Sequence, residues 1–573
     1  IGQVRQGGHH GRPLDVGPAT PWDCDVPKLY AVSVVASGET VDLRVGFRTV
    51  EVVGRELHIN GRPLRMRGVN RHEFDADRGR IVGEDRVRAD LALMKQSGMN
   101  TVRTSHYPPH PRFLDHCDEL GLFVVLENDL ETHGFEKAGW LGNPSDDPAW
   151  HDNLLDRMRR TVERDKNHPS IIMWSLGNES GTGVNLAAMA AWTRRRDPGR
   201  PVHYEGDHAG AYTDLQSFMY TPVEGLEDLS AGVGTAMTDI PGQAMRLADR
   251  PIMLCEFAHA MGNGPGGVAA YERAFDTLPG VIGGLVWEWR DHGLRTTIDG
   301  RPDFAYGGDF GETVHDGTFV IDGLTAPDGT ASPGLAEVAA HFGPVRLEFT
   351  AGGLRVRNLR HSQDTSDLVF TLTEDGPDGA EPQSRRLDVP VVAAGDEAMV
   401  AVPLAASAPH ERWISVTASL AEATPWAPAG HAVARAQRVD AIPAAPLSAR
   451  RSTVAGWQVG PVVLDESTGR PVAWAGVPVS DSDVSLWRAP TSNDSLGMFG
   501  SYELGDVAAT RGLGVPGPSS EARWRAAGLD RMESRLVSIT HDGESIVIRR
   551  RQSAAQASWG VDVIEHWTEV AGR

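Results

Sequence analysis

The chain has 573 residues, too many for one core, so several domains are expected. It carries 55 Lys and Arg against 77 Asp and Glu, a net charge of −22, which argues against nucleic acid and anionic membranes as partners and for a neutral small molecule or sugar. The three cysteines (Cys24, Cys117, Cys255) form no CxxC pair and read as reduced core thiols of a cytoplasmic enzyme; no apolar run nears the roughly 18 residues of a spanning helix.

The chain opens Ile1-Gly-Gln-Val, without Met, and is expected to begin inside a longer gene product. Apolar residues alternate from Thr40 to Val52, as in half-buried antiparallel strands. Residues 1–53 are too few for a whole sandwich and read as the C-terminal part of an immunoglobulin-like one. Residues 54–344 alternate strands with helices. Eight strand candidates fall at Leu64–Asn70, Thr101–His106, Leu122–Leu126, Ile171–Leu176, Pro201–Tyr204, Leu215–Tyr220, Pro251–Cys255 and Val281–Trp287, with helices at Glu84–Ser97 and His151–Asp165. Eight such strands predict a (β/α)8 TIM barrel. A doubly wound sheet is the alternative, but no Gly-rich phosphate loop follows the first strand. Leu354–Leu359, Asp367–Leu372 and Trp413–Ala418 then predict a second immunoglobulin-like sandwich over 345–441, and Ala441–Leu447 a linker. From Gly456 strands are expected to continue through Val484–Thr491, with 448–573 as the N-terminal part of a larger β-sandwich.

Two glutamates end apolar runs inside the barrel: Glu179 in Trp174-Ser-Leu-Gly-Asn-Glu179 and Glu256 in Ile252-Met-Leu-Cys-Glu256. Closing strands four and seven, they should meet across the C-terminal mouth, where barrel active sites lie. A pair of carboxyl groups about 5–5.5 Å apart performs glycoside hydrolysis with retention. Asn178 could hydrogen-bond a sugar 2-hydroxyl, and Tyr220 the nucleophilic carboxylate. Arg103 could hold Glu256 ionised. Glu131 and His133, two apart in extended chain, point to one side and suit Mg²⁺ or Mn²⁺. His72, His106 and His259 gather at strand ends, where imidazoles can grip hydroxyls, and Trp287 could stack on a pyranose face.

Arg67-Gly-Val-Asn-Arg-His-Glu73, Val102-Arg-Thr-Ser-His-Tyr-Pro108, Glu131-Thr-His-Gly134, Trp174-Ser-Leu-Gly-Asn-Glu-Ser180 and Cys255-Glu-Phe-Ala-His-Ala-Met-Gly-Asn263 together resemble glycoside hydrolase family 2, in particular its large bacterial β-galactosidases. The resemblance implies retaining hydrolysis of terminal β-D-galactosides such as lactose, with Glu256 as nucleophile and Glu179 as acid/base. It implies Glu131, His133 and Glu179 as Mg²⁺ ligands, and His72, His106, Asn178, Tyr220, His259 and Trp287 as the galactose subsite. Phe319, through its carbonyl, and Asp322 match positions that hold Na⁺, although Asp322 departs from the Asn of the best-known members. Homo-oligomers of the full-length protein are also implied. The rivals are a β-glucuronidase or β-mannosidase of the same family, and a catalytically incomplete sugar-binding fragment lacking the N-terminal jelly roll and the C-terminal end.

Overall fold

The computed structural model describes residues 16–232, 249–376, 381–403, 411–440, 446–447, 450–451, 457–480, 483–491, 494, 518–541 and 545–570. Two compact units emerge: residues 1–407 with 412–439, and residues 408–411 with 440–573.

The first unit is built on eight parallel strands: Met66–Arg71, Thr101–Thr104, Phe123–Glu127, Ile171–Ser175, Val202–His203, Gln216–Met219, Ile252–Phe257 and Val281–Val286. All eight coincide with the predicted runs. Strand one pairs with both strand two and strand eight, so the sheet curls into a barrel. The seam lies between strands five and six, where side chains complete it: His203 Nε2 stands 2.8 Å from Ser217 Oγ.

Burial on both faces explains the unbroken apolar strands. In strand three Phe123 and Val125 face the barrel interior, while Val124 and Leu126 face the helix layer. Trp22, Leu57, Ile59 and Leu64 pack into the interior cluster alongside Met66 and Phe123. An Asn60-Gly61 turn, both residues at positive φ, folds Glu56–Ile59 back onto Arg62–Pro63 just before strand one. Asn-Gly is the preferred sequence for such a turn because glycine adopts positive φ without steric cost. The helices Glu84–Gln96 and His151–Asp165 lie where their periodicity predicts. Cys24, Cys117 and Cys255 are free and buried.

The predicted N-terminal strands differ. Tyr30–Ala36 and Glu39–Val45 form an antiparallel hairpin exposed almost throughout, not half-buried. Thr40–Val52 is also not continuous. Residues 46–49 separate the strands Glu39–Val45 and Val50–Val53, and Gly46 there lies against Pro169, where a Cβ would lie 2.7 Å from Pro169 Cγ. Alternation locates strands but cannot say whether anything covers either face.

Residues 345–440 supply two sheets, one of Val345–Thr350, Gly353–Asn358 and Glu397–Val400, the other of Leu368–Asp375, Gln383–Arg386, Arg412–Leu420 and Ala432–Asp440. They share a core of Leu354, Val356, Phe370, Leu372, Ile414 and Val416.

The second unit holds a five-stranded sheet between 450 and 478 and a three-stranded one between 532 and 567, joined through Val459, Leu464, Ile546 and Ile548. The predicted linker Ala441–Leu447 lies outside the described residues up to 445; Pro446–Leu447 pairs with Glu569–Val570. The predicted strand Val484–Thr491 is a loop instead. It closes on Asp494, which accepts from Arg488 and from the backbone N–H and hydroxyl of Thr491. Pro490 brings no backbone donor to a ladder. Among the described residues no helix is long and apolar enough to cross a membrane.

Candidate functional site

The C-terminal mouth of the barrel is organised around one guanidinium. Arg103, on strand two, is fully buried. Its Nη1 donates to Glu256 Oε1 at 2.7 Å and Asn70 Oδ1 at 2.9 Å; its Nη2 donates to Asn178 Oδ1 at 2.8 Å and Glu127 Oε1 at 3.1 Å. Nε completes a bidentate pair with Glu127 at 2.9 Å. This planar fork fixes strands one, two, three, four and seven relative to one another, which a flexible ammonium cannot do.

Glu256 is buried on strand seven, and its second oxygen accepts from the Tyr220 hydroxyl at 2.7 Å. Burial pushes its pKa up to about 8, while Arg103, then His106, and the Tyr220 hydrogen bond pull the other way. Burial also disfavours the Glu127 carboxylate, but Arg103, His106 and Ser175 outweigh it and hold the group at about 2. Glu127 is therefore the permanent counter-ion of Arg103.

Glu179 follows strand four and reaches the same network through Asn178, whose amide donates to Glu131 Oε1 at 3.2 Å. An isolated parallel bridge joins Glu131 to Asn178, extending strands three and four beyond the barrel and setting their carboxylates side by side. Glu179, Tyr220 and Ala258 follow strands four, six and seven with φ of 35°, 50° and 50°. Each such conformation costs about 1–3 kcal/mol in a residue with a side chain, and such strain clusters at functional sites.

His133 lies between two carboxylates, Nε2 3.0 Å from Glu136 and Nδ1 2.9 Å from Glu179, which lift its pKa to about 11. Glu131, His133 and Glu179 each offer a ligand atom, all within 4.8 Å of one another. Two hard oxygens, one imidazole and partial exposure fit Mg²⁺ or Mn²⁺ completed by waters.

The histidines line the opposite rim. His106 Nδ1 is 2.7 Å from Glu127 Oε1 and His72 Nδ1 is 2.8 Å from Glu288 Oε2. Facing a carboxylate, each Nδ1 carries the proton, leaving Nε2 as an acceptor where the ring is neutral. Burial lowers the His72 pKa to about 4 and that of His259 to about 4. For His106 burial opposes the cation, but the bond to Glu127 prevails and raises it. Trp287 stacks on His106 at 5.2 Å between ring centroids and donates from Nε1 to Asp322 Oδ2 at 2.9 Å. Asp322 is fully buried, 3.6 Å from His259 Nε2, and its Oδ1 accepts no hydrogen bond; burial, then the charge of Glu288, raises its pKa well above the carboxylate range. An orphaned buried carboxylate oxygen fits a hard cation such as Na⁺. The Phe319 ring packs edge-on against His259.

All the predicted site residues thus gather at one mouth. Sequence reasoning passed over Glu127, Glu205 and Glu288, although each lies at or just beyond the end of a barrel strand, as Glu256 does. Glu205, after strand five, has its pKa pushed up to about 8 by burial and by Glu179.

The family model described as "Glycosyl hydrolases family 2, TIM barrel domain" matches residues 50–347, and "Beta-galactosidase, domain 4" matches 354–439. A β-galactosidase of Arthrobacter sp. (strain B7) is 48% identical across 97% of this chain and 57% of its own length. One from Vibrio cholerae is 36% identical across 93% of this chain and 53% of its own length. The chain thus spans about half the length of the curated relatives it matches. Among solved structures, a β-D-glucuronidase from Dictyoglomus thermophilum aligns with a TM-score of 0.43 at 22% identity, covering 56% of this chain and 59% of that one.

Proposed function

The chain belongs to glycoside hydrolase family 2, and from that premise we propose that the full-length protein removes terminal β-D-galactose from β-galactosides with retention of configuration. The observation that carries this reading is the single hydrogen-bonded network from Glu256 through Arg103 and Asn178 to Glu131, the residue set beside Glu179. Two carboxyl groups on facing strands are what a double displacement needs.

In the first step the Glu179 carboxyl passes its proton to the glycosidic oxygen as the bond from that oxygen to C1 breaks, and the Glu256 carboxylate forms a bond to C1. In the second, Glu179 takes a proton from water, whose oxygen attacks C1 and returns Glu256 as carboxylate. Tyr220 and Arg103 hydrogen-bond the Glu256 carboxylate and so favour the nucleophilic form. Glu131, His133 and Glu179 would hold Mg²⁺ or Mn²⁺, whose charge when bound favours the Glu179 carboxylate. Asp322 and the Phe319 carbonyl would hold Na⁺.

The galactoside rests on the curated relatives, which are β-galactosidases. The chemistry of the mouth agrees. A uronic acid calls for a cation to meet its carboxylate. Arg103, the guanidinium at the centre of this mouth, has its five hydrogen bonds taken by Glu and Asn side chains. Nitrophenyl β-D-galactoside, β-D-glucuronide and β-D-mannoside offered to the full-length protein test the reading. Only the galactoside should turn over, and Glu256→Gln should lower that rate on the order of 10⁴-fold or more. Cleavage of the glucuronide in its place, or an active Glu256→Gln variant, would overturn it.

A further inference from the structure

A second constellation of ligand atoms lies across the mouth from Glu131 and has different chemistry. His72 follows the end of strand one, and Glu288 and His292 follow the end of strand eight, the neighbour with which strand one pairs. One ligand atom from each lies within 4.8 Å of the others. His72 Nδ1 stands 2.8 Å from Glu288 Oε2, and His292 Nε2 stands 3.5 Å from Glu288 Oε1. Glu288 is 2% exposed, and among the described residues its only ion-pair partners are these two imidazoles. The His292 Nε2 atom is buried and makes no hydrogen bond of normal geometry. A buried carboxylate without a permanent cation, facing a buried unbonded imidazole nitrogen, is costly unless a further positive group joins it.

We propose that His72, Glu288 and His292 form a second metal site, selective for a borderline divalent cation of the zinc class. Two imidazole nitrogens and one carboxylate oxygen are one of the usual sets of three protein ligands in an open zinc site. The Glu131 group, with two carboxylates to one imidazole, favours magnesium instead. Zinc binds at about 2.0–2.2 Å from such atoms, so ligand atoms 2.8 and 3.5 Å apart need little movement to share one ion.

The supporting shell is already in place. Glu288 is held by its N–H to the Asp322 carbonyl at 3.0 Å and by its carbonyl to the Leu324 N–H at 2.8 Å. His292 donates its backbone N–H to the Val320 carbonyl at 2.7 Å, and its ring stacks on Phe74 at 4.7 Å. Such partners orient ligands before the metal arrives. The His72 and His292 side chains are 13% and 11% exposed, which leaves an approach from solvent.

Binding has a consequence at the sugar pocket that rests on the reading above. Without metal, His72 donates from Nδ1 to Glu288 and presents Nε2 as an acceptor. With zinc on Nδ1 the ring proton moves to Nε2, which becomes a donor. No proton is released, but a sugar hydroxyl that donated to His72 loses its acceptor. Zinc should therefore raise KM for the galactoside more than it lowers kcat.

Zinc affinity is measured on the full-length protein by competition with a chromophoric chelator, under a large excess of Mg²⁺. One zinc per chain should bind. His292→Gln, and separately Glu288→Gln, should weaken it at least about tenfold, and His133→Gln should leave it unchanged. Cobalt substitution should give visible d–d bands that His292→Gln removes, while circular dichroism shows both variants folded. No zinc retained under magnesium, equal affinity in the folded His292→Gln variant, or loss in His133→Gln would each overturn the site. Zinc that binds as described without altering KM would leave the metal site standing and count against the sugar-facing role of His72.

Discussion

Replacing Arg103 by Met keeps the length of the side chain and removes all five of its donors. The fully buried Glu127 carboxylate is then stranded, and Glu256, 4% exposed and with its pKa already pushed up to about 8 by burial, loses one hydrogen-bond donor. Breaking one buried ion pair by removing a partner costs about 3–5 kcal/mol. Glu127 retains His106 at 2.7 Å and Ser175 at 2.6 Å, and Glu256 retains Tyr220, so a loss of about 5 kcal/mol at pH 7 is expected rather than twice that. The sign of the pH dependence follows from linkage. With Arg103 gone, the folded-state pKa of Glu127 rises above its unfolded value, while burial already holds that of Glu256 above its own with Arg103 in place. The folded variant then binds more protons than the unfolded chain, and its stability falls as pH rises through that window. Keeping the Glu127 carboxyl protonated costs about 1.4 kcal/mol per pH unit above about 4.3, so the deficit should shrink to about 2 kcal/mol at pH 5. Urea unfolding followed by the emission of the barrel tryptophans Trp174 and Trp289 at the two pH values measures this. A deficit below about 1 kcal/mol at pH 7, or one identical at pH 5, would refute Arg103 as the charge that holds Glu127 ionised.

Other consequences are simpler. Tyr220→Phe removes one donor to the Glu256 carboxylate, so the acid limb of kcat/KM should move to higher pH by about 1 unit, one charge-assisted hydrogen bond being worth about 1.5–3 kcal/mol; an unmoved limb would separate Tyr220 from the nucleophile. His203 sits between Ser175 and Ser217 with its pKa lowered by burial to about 3. Its unfolded form takes up a proton below about 6.5 and its folded form does not, so stability should fall with pH by up to about 1.4 kcal/mol per unit from 6.5 to 4.5. His203→Gln should lower that slope by up to about 1.4 kcal/mol per unit, leaving the shares of His72 and His259, and an unchanged slope would show that His203 does not contribute. Glu131→Gln removes one of three ligands and should weaken Mg²⁺ binding at least about tenfold by calorimetry; equal affinity would place the ion elsewhere.

The barrel was legible because its strands are buried on both faces. Ile171–Trp174 is apolar throughout and bounded by His168-Pro169 and Gly177, and Phe123–Leu126 beside it reads the same way. The Thr40–Val52 stretch misled because alternation reports a two-faced strand without reporting a cover, and both faces of this hairpin are open. At the site, Glu179 and Glu256 stood out as polar ends of apolar runs, and Glu131 and His133 by their spacing together with their place at a strand end. The identity of the pairs did not. Arg103 hydrogen-bonds Glu256, yet burial still raises the Glu256 pKa and the bidentate partner of Arg103 is Glu127; the His72–Glu288 contact joins residues 216 positions apart. Strand ends mark which side chains reach the mouth; which of them meet is set by barrel curvature and register, and no local pattern encodes that.

The central claim is that Glu256 attacks the sugar. An activated 2-deoxy-2-fluoro-β-D-galactoside slows the second step more than the first, because the fluorine destabilises both transition states while the good leaving group rescues only one. The full-length protein is incubated with it, digested, and read by tandem mass spectrometry. The account predicts one fluorogalactosyl group per chain, on Glu256. A label on Glu179 or another residue, or no label from a protein that still turns over the parent galactoside, would contradict it.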